Sequence, residues 1–290
     1  MSTKINCNGQ ISDNLSISFY DHGFLFGDSV YEVIATSNNV PCFLNEHIDR
    51  LQGSAAGIFL DIPFDRNRLI QEVERTLQAA GNEESYIRII VTRGEGDVNI
   101  DPSSCHKPNV IIYVTQEKKY PAENYVTGVN LAVVSVKRNS SDSLNPSMKT
   151  GNYLNNILAI MEANRSGAHD AIMLNAAGCI TESTTSNIFF CSDGTLFTPA
   201  LNCGILEGIT RRVIMRIAEE NDMPVEEGRW PVEAMISADE IFITGTIKRV
   251  MPVTQIDGKM IGSGKPGSIS LKMARLYDQH LESHARLYPS

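Results

Sequence analysis

The sequence predicts an α+β chain of two domains. Three observations carry that prediction. Short β-type runs crowd the second half without the regular strand–helix–strand spacing of a parallel sheet. Helix-type runs with apolar stripes are interspersed in both halves. A charged stretch containing Pro and Gly, "QEKKYPAENYVTG", has weak periodicity and reads as the link between the halves. The boundaries that follow are a first domain over 1–118, a linker over 119–129 and a second domain over 130–290.

The first domain opens with β-type runs, "KINCNG", then "SVYEVIAT" and "VPCFL" joined across Asn38-Asn39, a hairpin-type pair. A helix follows with Leu44, Ile48, Leu51, Ala55 and Ile58 on one stripe and Asn45 as its expected N-cap. A second helix is expected from about Arg66 to Ala80, stopping before Gly81-Asn82. Two strands, "SYIRIIVT" and "NVIIYVT", flank the loop "RGEGDVNIDPSSCHKP". In the second domain the strands are "NLAVVSV", "DAIML", "GCITE", "NIFFC", "TLFT", "EIFITGT" and "KRVMPV", and Asp257-Gly258 marks a tight hairpin. Helices are expected over Tyr153 to Arg165, Thr210 to Asn221 and Ser268 to His284.

Bulk properties narrow the function. The 290 residues are 42% hydrophobic and 20% charged, as in a soluble globular protein. A formal net charge of −9 argues against a general binder of nucleic acid or anionic membranes, though not against a small anion held by local cations. The six cysteines contain no C-x-x-C pair, which fits reduced thiols in a cytoplasmic protein. The polar start "MSTKINCNGQISDNLS" does not read as a signal peptide, and no apolar run is long enough to span a bilayer. The six histidines are scattered, so no metal site is expected. "GSGKPGS" fails as a P-loop, because Pro266 follows the lysine where Ser or Thr is needed.

The chemistry gathers around Lys149, a lone cation in "SLNPSMKTGNYLNN" between a strand and a helix. Taken alone it is an ordinary solvated loop lysine. Yet Ser147, Thr150 and Gly151 are small enough for a bulky group to approach, and Tyr153 lies four residues on. A nucleophilic lysine commonly forms a Schiff base with a carbonyl, that of pyridoxal phosphate included. Such a cofactor needs a phosphate site. "GILEGITRR" offers the helix start at Ile209 and Thr210 with no acidic side chain, and "FITGTIKR" offers Gly245 and Thr246 at a strand end. Arg50, in "NEHIDRL", is a candidate fixed charge. Glu182, in "GCITESTTSNIFF", is a candidate partner for the ring nitrogen.

Together, "NEHIDRL", "MKTGNYLNNILA", "GCITESTTSNIFF", "LFTPAL…GILEGITRR" and "ADEIFITGT" stand in the order and spacing of the fold-type IV pyridoxal-phosphate enzymes. The chain resembles that class, which includes branched-chain and D-amino-acid aminotransferases and 4-amino-4-deoxychorismate lyase, from about Lys4 to its end. The resemblance implies a small α/β domain, a larger domain with a β-barrel-like core, and pyridoxal 5′-phosphate in the interdomain cleft. It implies a homodimer whose partner closes the pocket. It implies that Lys149 is the Schiff-base lysine, Tyr153 bonds the phenolic oxygen and Glu182 meets the pyridine nitrogen. Arg50, Ile209, Thr210 and Thr246 would hold the phosphate; Phe26, Tyr31, Tyr86, Arg88 and Ile247 would line the substrate pocket. The activity implied is a ping-pong transamination between an amino acid and a 2-oxo acid.

The substrate signals are mixed. "SYIRIIVTRGEGDVNIDP" resembles the branched-chain enzymes, and a guanidinium at Arg88 suits a dicarboxylate such as 2-oxoglutarate. Tyr31-Glu32-Val33 resembles the D-amino-acid enzymes instead, yet their arginine and histidine after Thr-Arg-Gly are missing here. Lys248-Arg249 departs from both patterns, and the pair either binds a carboxylate or points to solvent. The expectation adopted is a branched-chain-like, L-specific transaminase, with a D-amino-acid transaminase or an aminodeoxychorismate-type lyase as the alternatives.

Overall fold

A computed structural model describes residues 2–287. The chain forms two compact units: one of residues 1–118, 148–152 and 281–290, the other of 119–147 and 153–280.

The first unit contains β1 (Lys4–Cys7), β2 (Gln10–Ser12), α1 (His22–Phe26), β3 (Ser29–Ser37) and β4 (Val40–Pro41). After these come α2 (Leu44–Gly57), α3 (Arg66–Ala80), β5 (Ser85–Thr92) and β6 (Asn109–Gln116). The six strands form one antiparallel sheet in the order β2-β1-β6-β5-β3-β4. The turn between β3 and β4 is Asn38-Asn39, both left-handed at φ 51° and 62°, as the sharpest hairpin connections require. Helix α3 has the expected bounds, with Asp65 accepting from Arg68 N–H at the start and Gly81 left-handed at the end. Helix α2 begins differently from the sequence expectation. Its N-cap is Phe43, left-handed at φ 54°, and Asn45 lies inside the helix. The Phe43 ring stacks on His284, and its N–H donates to His284 Nε2, so a tertiary contact replaces a side-chain cap.

Strand alternation assigns the two faces of this sheet. Ile87, Ile89 and Val91 of β5, with Val30 and Ile34 of β3, join Ile48, Leu51 and Ala55 of α2 and Leu69, Val73 and Leu77 of α3 in one core. Tyr86, Arg88 and Ile90 take the other face of β5, beside Tyr31 and Val33 of β3 in register.

The second unit contains α4 (Glu123–Thr127), β7 (Val129–Val133), α5 (Leu154–Arg165), β8 (Asp170–Leu174), β9 (Ile180–Ser183) and β10 (Asn187–Ser192). It continues with β11 (Thr195–Pro199), α6 (Ile209–Glu220), β12 (Val225–Gly228), α7 (Val232–Ile236), β13 (Glu240–Gly245), β14 (Arg249–Ile256) and β15 (Lys259–Met260). Helix α8 (Ser268–Leu287) follows, and its residues from Leu281 on belong to the first unit. The charged stretch read as a linker thus contains the short helix α4. The sheet runs β12-β11-β10-β13-β14-β7-β8-β9, with β15 on β14, and is of mixed direction. It curls until β9, at the end of the path, returns beside β10. Inside the curl lie Leu131, Ile172, Ile180, Ile188, Ile241, Ile243 and Val253. A smaller apolar layer of Ala159, Ala163, Ala171 and Met173 seats α5. Among the described residues no helix is long and apolar enough to cross a membrane.

Leu51 tests the packing of α2, because it is fully buried in the first core. Leu51→Ala is expected to cost about 2–5 kcal/mol in a urea melt. A cost below about 1 kcal/mol would contradict the packing described.

Candidate active site

In the first unit, the segment Met148–Asn152 lies along the start of β3. Tyr31 N–H donates to Lys149 C=O (2.9 Å) and Gly151 N–H donates to Ser29 C=O (2.8 Å). Lys149 N–H donates to Ser54 Oγ of α2 (3.0 Å). Glycine is needed at two places for this approach. A Cβ on Gly151 would overlap Ser29 Oγ, and one on Gly57 would overlap Met148 Sδ. The lysine is therefore fixed by backbone bonds to a strand and a helix.

The side chains on the outer sheet face meet it. Lys149 Nζ stands 4.6 Å from the centre of the Tyr31 ring, and the Arg88 guanidinium stands 4.1 Å from the same ring. Two cations thus approach one aromatic ring, which attracts both through its negative face. Arg88 Nη1 reaches Tyr86 Oη at 3.4 Å, while Arg88 Nε is buried without a hydrogen-bond partner. Tyr86 in turn packs edge-on against Tyr113. Of the residues expected to line the substrate pocket, Tyr31, Tyr86 and Arg88 stand together, beside Lys149. Phe26 lies at the end of α1, partly exposed, with its ring edge-on to His22 at 4.9 Å.

Arg50 is on the core side of the same sheet. Its Nε and Nη2 donate to the two carboxylate oxygens of Glu32 (2.6 and 2.8 Å), and His47 Nδ1 bonds Glu32 Oε2 (2.7 Å). Glu32 is fully buried. Burial alone would raise its carboxyl, but the Arg50 charge and the bonds from Arg50 and His47 outweigh it and bring it to about 2. Burial holds His47 below its usual range. The bond to Glu32 opposes that, while the Arg50 and Lys149 charges add to it. A neutral His47 therefore donates Nδ1–H to an ionised Glu32. Residues His47, Arg50 and Ser54 stand at i, i+3 and i+7, a polar stripe beside the apolar stripe of Ile48, Leu51 and Ala55. The sequence reading did not single out Glu32 or His47. A Glu between apolar strand residues and a His–Arg pair three apart on a helix were the available signals.

In the second unit, Glu182 is the third residue of β9 and is buried. Its Oε1 accepts from Arg138 Nε (2.8 Å) and its Oε2 from Leu206 N–H (3.0 Å). Glu182 is therefore seated inside the fold rather than exposed at a turn. Arg138 went unnoticed in the sequence because it follows β7 in a polar run, 44 residues from its partner. The turn after Glu182 is closed by Ser183 N–H donating to Ser186 C=O (2.8 Å), and Asn156 Nδ2 donates to Thr184 C=O (2.7 Å). Tyr153 is the half-buried residue preceding α5, and its C=O accepts from Ile157 N–H (2.9 Å).

Helix α6 starts at Ile209 with Gly208 as its cap, no side-chain cap and no acid in the first turn. Ile209 and Thr210 are buried there, and Thr210 Oγ1 lies 3.4 Å from Tyr277 Oη. A Cβ on Gly208 would overlap Asn187 Oδ1, so the helix start and the first residue of β10 are in close contact. Beside Asn187, the hydroxyls of Ser186 and Thr244 are buried without a protein partner. Gly245 is adjacent, its missing Cβ pointing 3.4 Å from Ser186 Oγ. Thr246 and Ile247, half-buried, begin the turn between β13 and β14. The N–H groups of a helix start, buried hydroxyls and a first turn without an acidic side chain suit a phosphate. Lys248 and Arg249 both meet protein carboxylates, Asp170 and Asp278 respectively, so neither simply points to solvent. No group of three or more His, Cys, Asp or Glu suited to a metal occurs among the described residues.

Comparison with known proteins agrees in class. The family described as amino-transferase class IV matches residues 29–256. A putative branched-chain-amino-acid aminotransferase of Methanocaldococcus jannaschii is 39% identical over 272 residues, 93% of each chain. The D-alanine aminotransferase of Staphylococcus epidermidis is 33% identical over 286 residues, 98% of this chain and 99% of the other. The solved structure of the branched-chain amino acid aminotransferase from Thermobaculum terrenum, in its PLP-bound holo form, superposes with a TM-score of 0.87 at 26% identity, covering 98% of this chain and 95% of that one.

The Glu32 network makes stability depend on pH in a stated direction. The carboxyl lies at about 2 in the fold against an ordinary 4.5, so its contribution is present above pH 4.5 and is lost as pH falls towards 2. Its full size is on the order of 3 kcal/mol. Denaturant midpoints followed from neutral pH down to about pH 3 should therefore fall more steeply for wild type than for Glu32→Gln. Parallel curves would show that Glu32 does not carry this depression.

Proposed function

Because the chain belongs to the class IV aminotransferases, we propose that it moves an amino group from an L-branched-chain amino acid to a 2-oxo acid such as 2-oxoglutarate, by a ping-pong cycle. Enzymes of this class use pyridoxal 5′-phosphate, and the donor set of this chain fits it. Glu182 would face its ring nitrogen and Tyr153 its phenolic oxygen. Arg50, Ile209, Thr210 and Thr246 would hold its phosphate. When bound, the cofactor supplies an electron sink for charge developing at the substrate α-carbon. Lys149 Nζ then takes the proton from the α-carbon of the donor in one half of the cycle. It returns a proton to the α-carbon of the acceptor in the other.

The observation that carries the substrate reading is Arg88. Its buried Nε lacks a protein partner, and its guanidinium carbon lies 4.1 Å from the centre of the Tyr31 ring. A fixed, unspent guanidinium donor favours a carboxylate on the substrate side chain, hence a dicarboxylate acceptor. Tyr86 and Tyr31 would flank that group, and Phe26 and Ile247 are the further residues proposed to meet the substrate. A D-amino donor is the second reading, favoured by Tyr31 packing against Lys149 in a Tyr-Glu-Val strand and by the D-alanine aminotransferase relative.

We place the enzyme in the cytoplasm as a homodimer. All six cysteines are free thiols. On α5, Leu154, Ile157, Leu158 and Met161 form an exposed apolar stripe, and Phe19, Tyr20 and Phe24 are exposed in the first unit. A second copy would cover such apolar surface.

The test is a half-reaction on cofactor-loaded protein, with L-leucine and D-alanine added separately. Loss of the cofactor's visible absorbance with L-leucine alone is the expected result, and Lys149→Ala should lack both that absorbance and transamination. Bleaching by D-alanine alone would replace the L-specific reading with the D-specific one. A Lys149→Ala variant that transaminates normally would refute the assignment of the lysine.

A further inference from the structure

Lys248 is buried, and its Nζ is bonded to Asp170 Oδ2 and to Thr185 Oγ1 (2.9 Å). Asp170 is buried too and is surrounded by donors. Its Oδ1 accepts from Ala171 N–H (2.8 Å), Thr184 N–H (3.2 Å) and the Thr184 hydroxyl (2.5 Å), and its Oδ2 from the Ser183 hydroxyl (3.3 Å). A buried ion pair is a poor source of net stability, because the desolvation of both charges offsets their attraction. Its partners indicate another role. Lys248 Nζ also stands 5.9 Å from the centre of the Tyr120 ring. Apart from Ala171, however, the hydrogen bonds of the two side chains beyond their own ion pair go to residues 183–185, which leave Glu182 and lead to the unpartnered Ser186 hydroxyl. Lys248 itself ends the turn that begins with Thr246 and Ile247.

We propose that Lys248 is a positioning residue: its ammonium, with Asp170 as counter-ion, ties the turn after Glu182 to the turn carrying Thr246 and Ile247, and so keeps the two turns in the spacing that holds the cofactor. This rests on the assignment of Glu182 and Thr246 to the cofactor. A side chain that cannot span both turns leaves each free to shift. At metal sites, loss of a group behind a ligand contact weakens binding roughly tenfold to a hundredfold, and a loss of that order is expected here.

Two variants separate this role from simple stabilisation. Lys248→Met removes the ammonium and strands the Asp170 charge, so both thermal stability and cofactor affinity should fall. In the double variant Asp170→Asn, Lys248→Met no charge is stranded, and the amide can still accept from Ala171 and Thr184. Its thermal midpoint without cofactor should recover towards wild type. Its dissociation constant for pyridoxal phosphate, read by equilibrium dialysis, should stay roughly tenfold or more above wild type. Amide exchange of Ser183 and Thr184 in the cofactor-free protein should be faster in both variants. Wild-type exchange rates at those amides would overturn the clamp. Faster exchange with unchanged cofactor affinity would overturn its positioning role. The assignment of Lys149 is judged apart from both, by its own alanine variant.

Discussion

A carboxylate taken out of water needs a cation or a set of hydrogen-bond donors inside the fold, and three of the carboxylates this chain buries meet a cation. Glu32 meets Arg50 with His47 beside it, Glu182 meets Arg138, and Asp170 meets Lys248. Each would be strongly unfavourable alone, since an unpaired buried charge costs several kcal/mol even after relaxation (~3–5 kcal/mol when one partner is removed). The pairing therefore dictates which elements come together. α2 must present its His47–Arg50 stripe to β3, the run after β7 must bring Arg138 to β9, and the turn before β14 must meet the start of β8. Apolar cores supply the driving force, whereas these pairs fix which way the elements face.

Strand geometry turns this constraint into a site. Tyr31 and Glu32 are adjacent in sequence, so they point to opposite faces of one sheet. Glu32 turns inward and locks α2; Tyr31 turns outward and meets Arg88 and Lys149. Lys149 belongs to no regular element, yet its carbonyl and N–H are both bonded, one to β3 and the other to α2. An amine held at its backbone can move at its tip without losing its place, which suits the proton transfer proposed for Lys149.

The legible parts of the sequence were those governed by local chemistry. Asn38-Asn39 and Asp257-Gly258 adopt the left-handed pairs that tight hairpins need, and Gly81 ends α3 where periodicity stops. The strands "SYIRIIVT" and "DAIML" have the expected bounds. What depended on distant partners was not legible. The cap of α2 is Phe43 because His284, 241 residues on, supplies the contact. The Glu182–Arg138 and Asp170–Lys248 pairs join residues 44 and 78 apart. No window of sequence periodicity reaches so far. Lys248 stood out only as one of two adjacent cations after Gly245-Thr246, and the sequence could not say that it turned inward.

Glu182 is where the charge argument and the proposed chemistry meet, since a carboxylate seated by Arg138 and the Leu206 N–H is suited to keep a ring nitrogen protonated. The most direct measurement is the nitrogen-15 NMR shift of the pyridine nitrogen of labelled cofactor bound to wild type and to Glu182→Gln at neutral pH. A protonated nitrogen in wild type and a neutral one in the variant is the expected result. A neutral nitrogen in wild type, or the same shift in both proteins, would contradict the role given to Glu182 and to the pair that holds it.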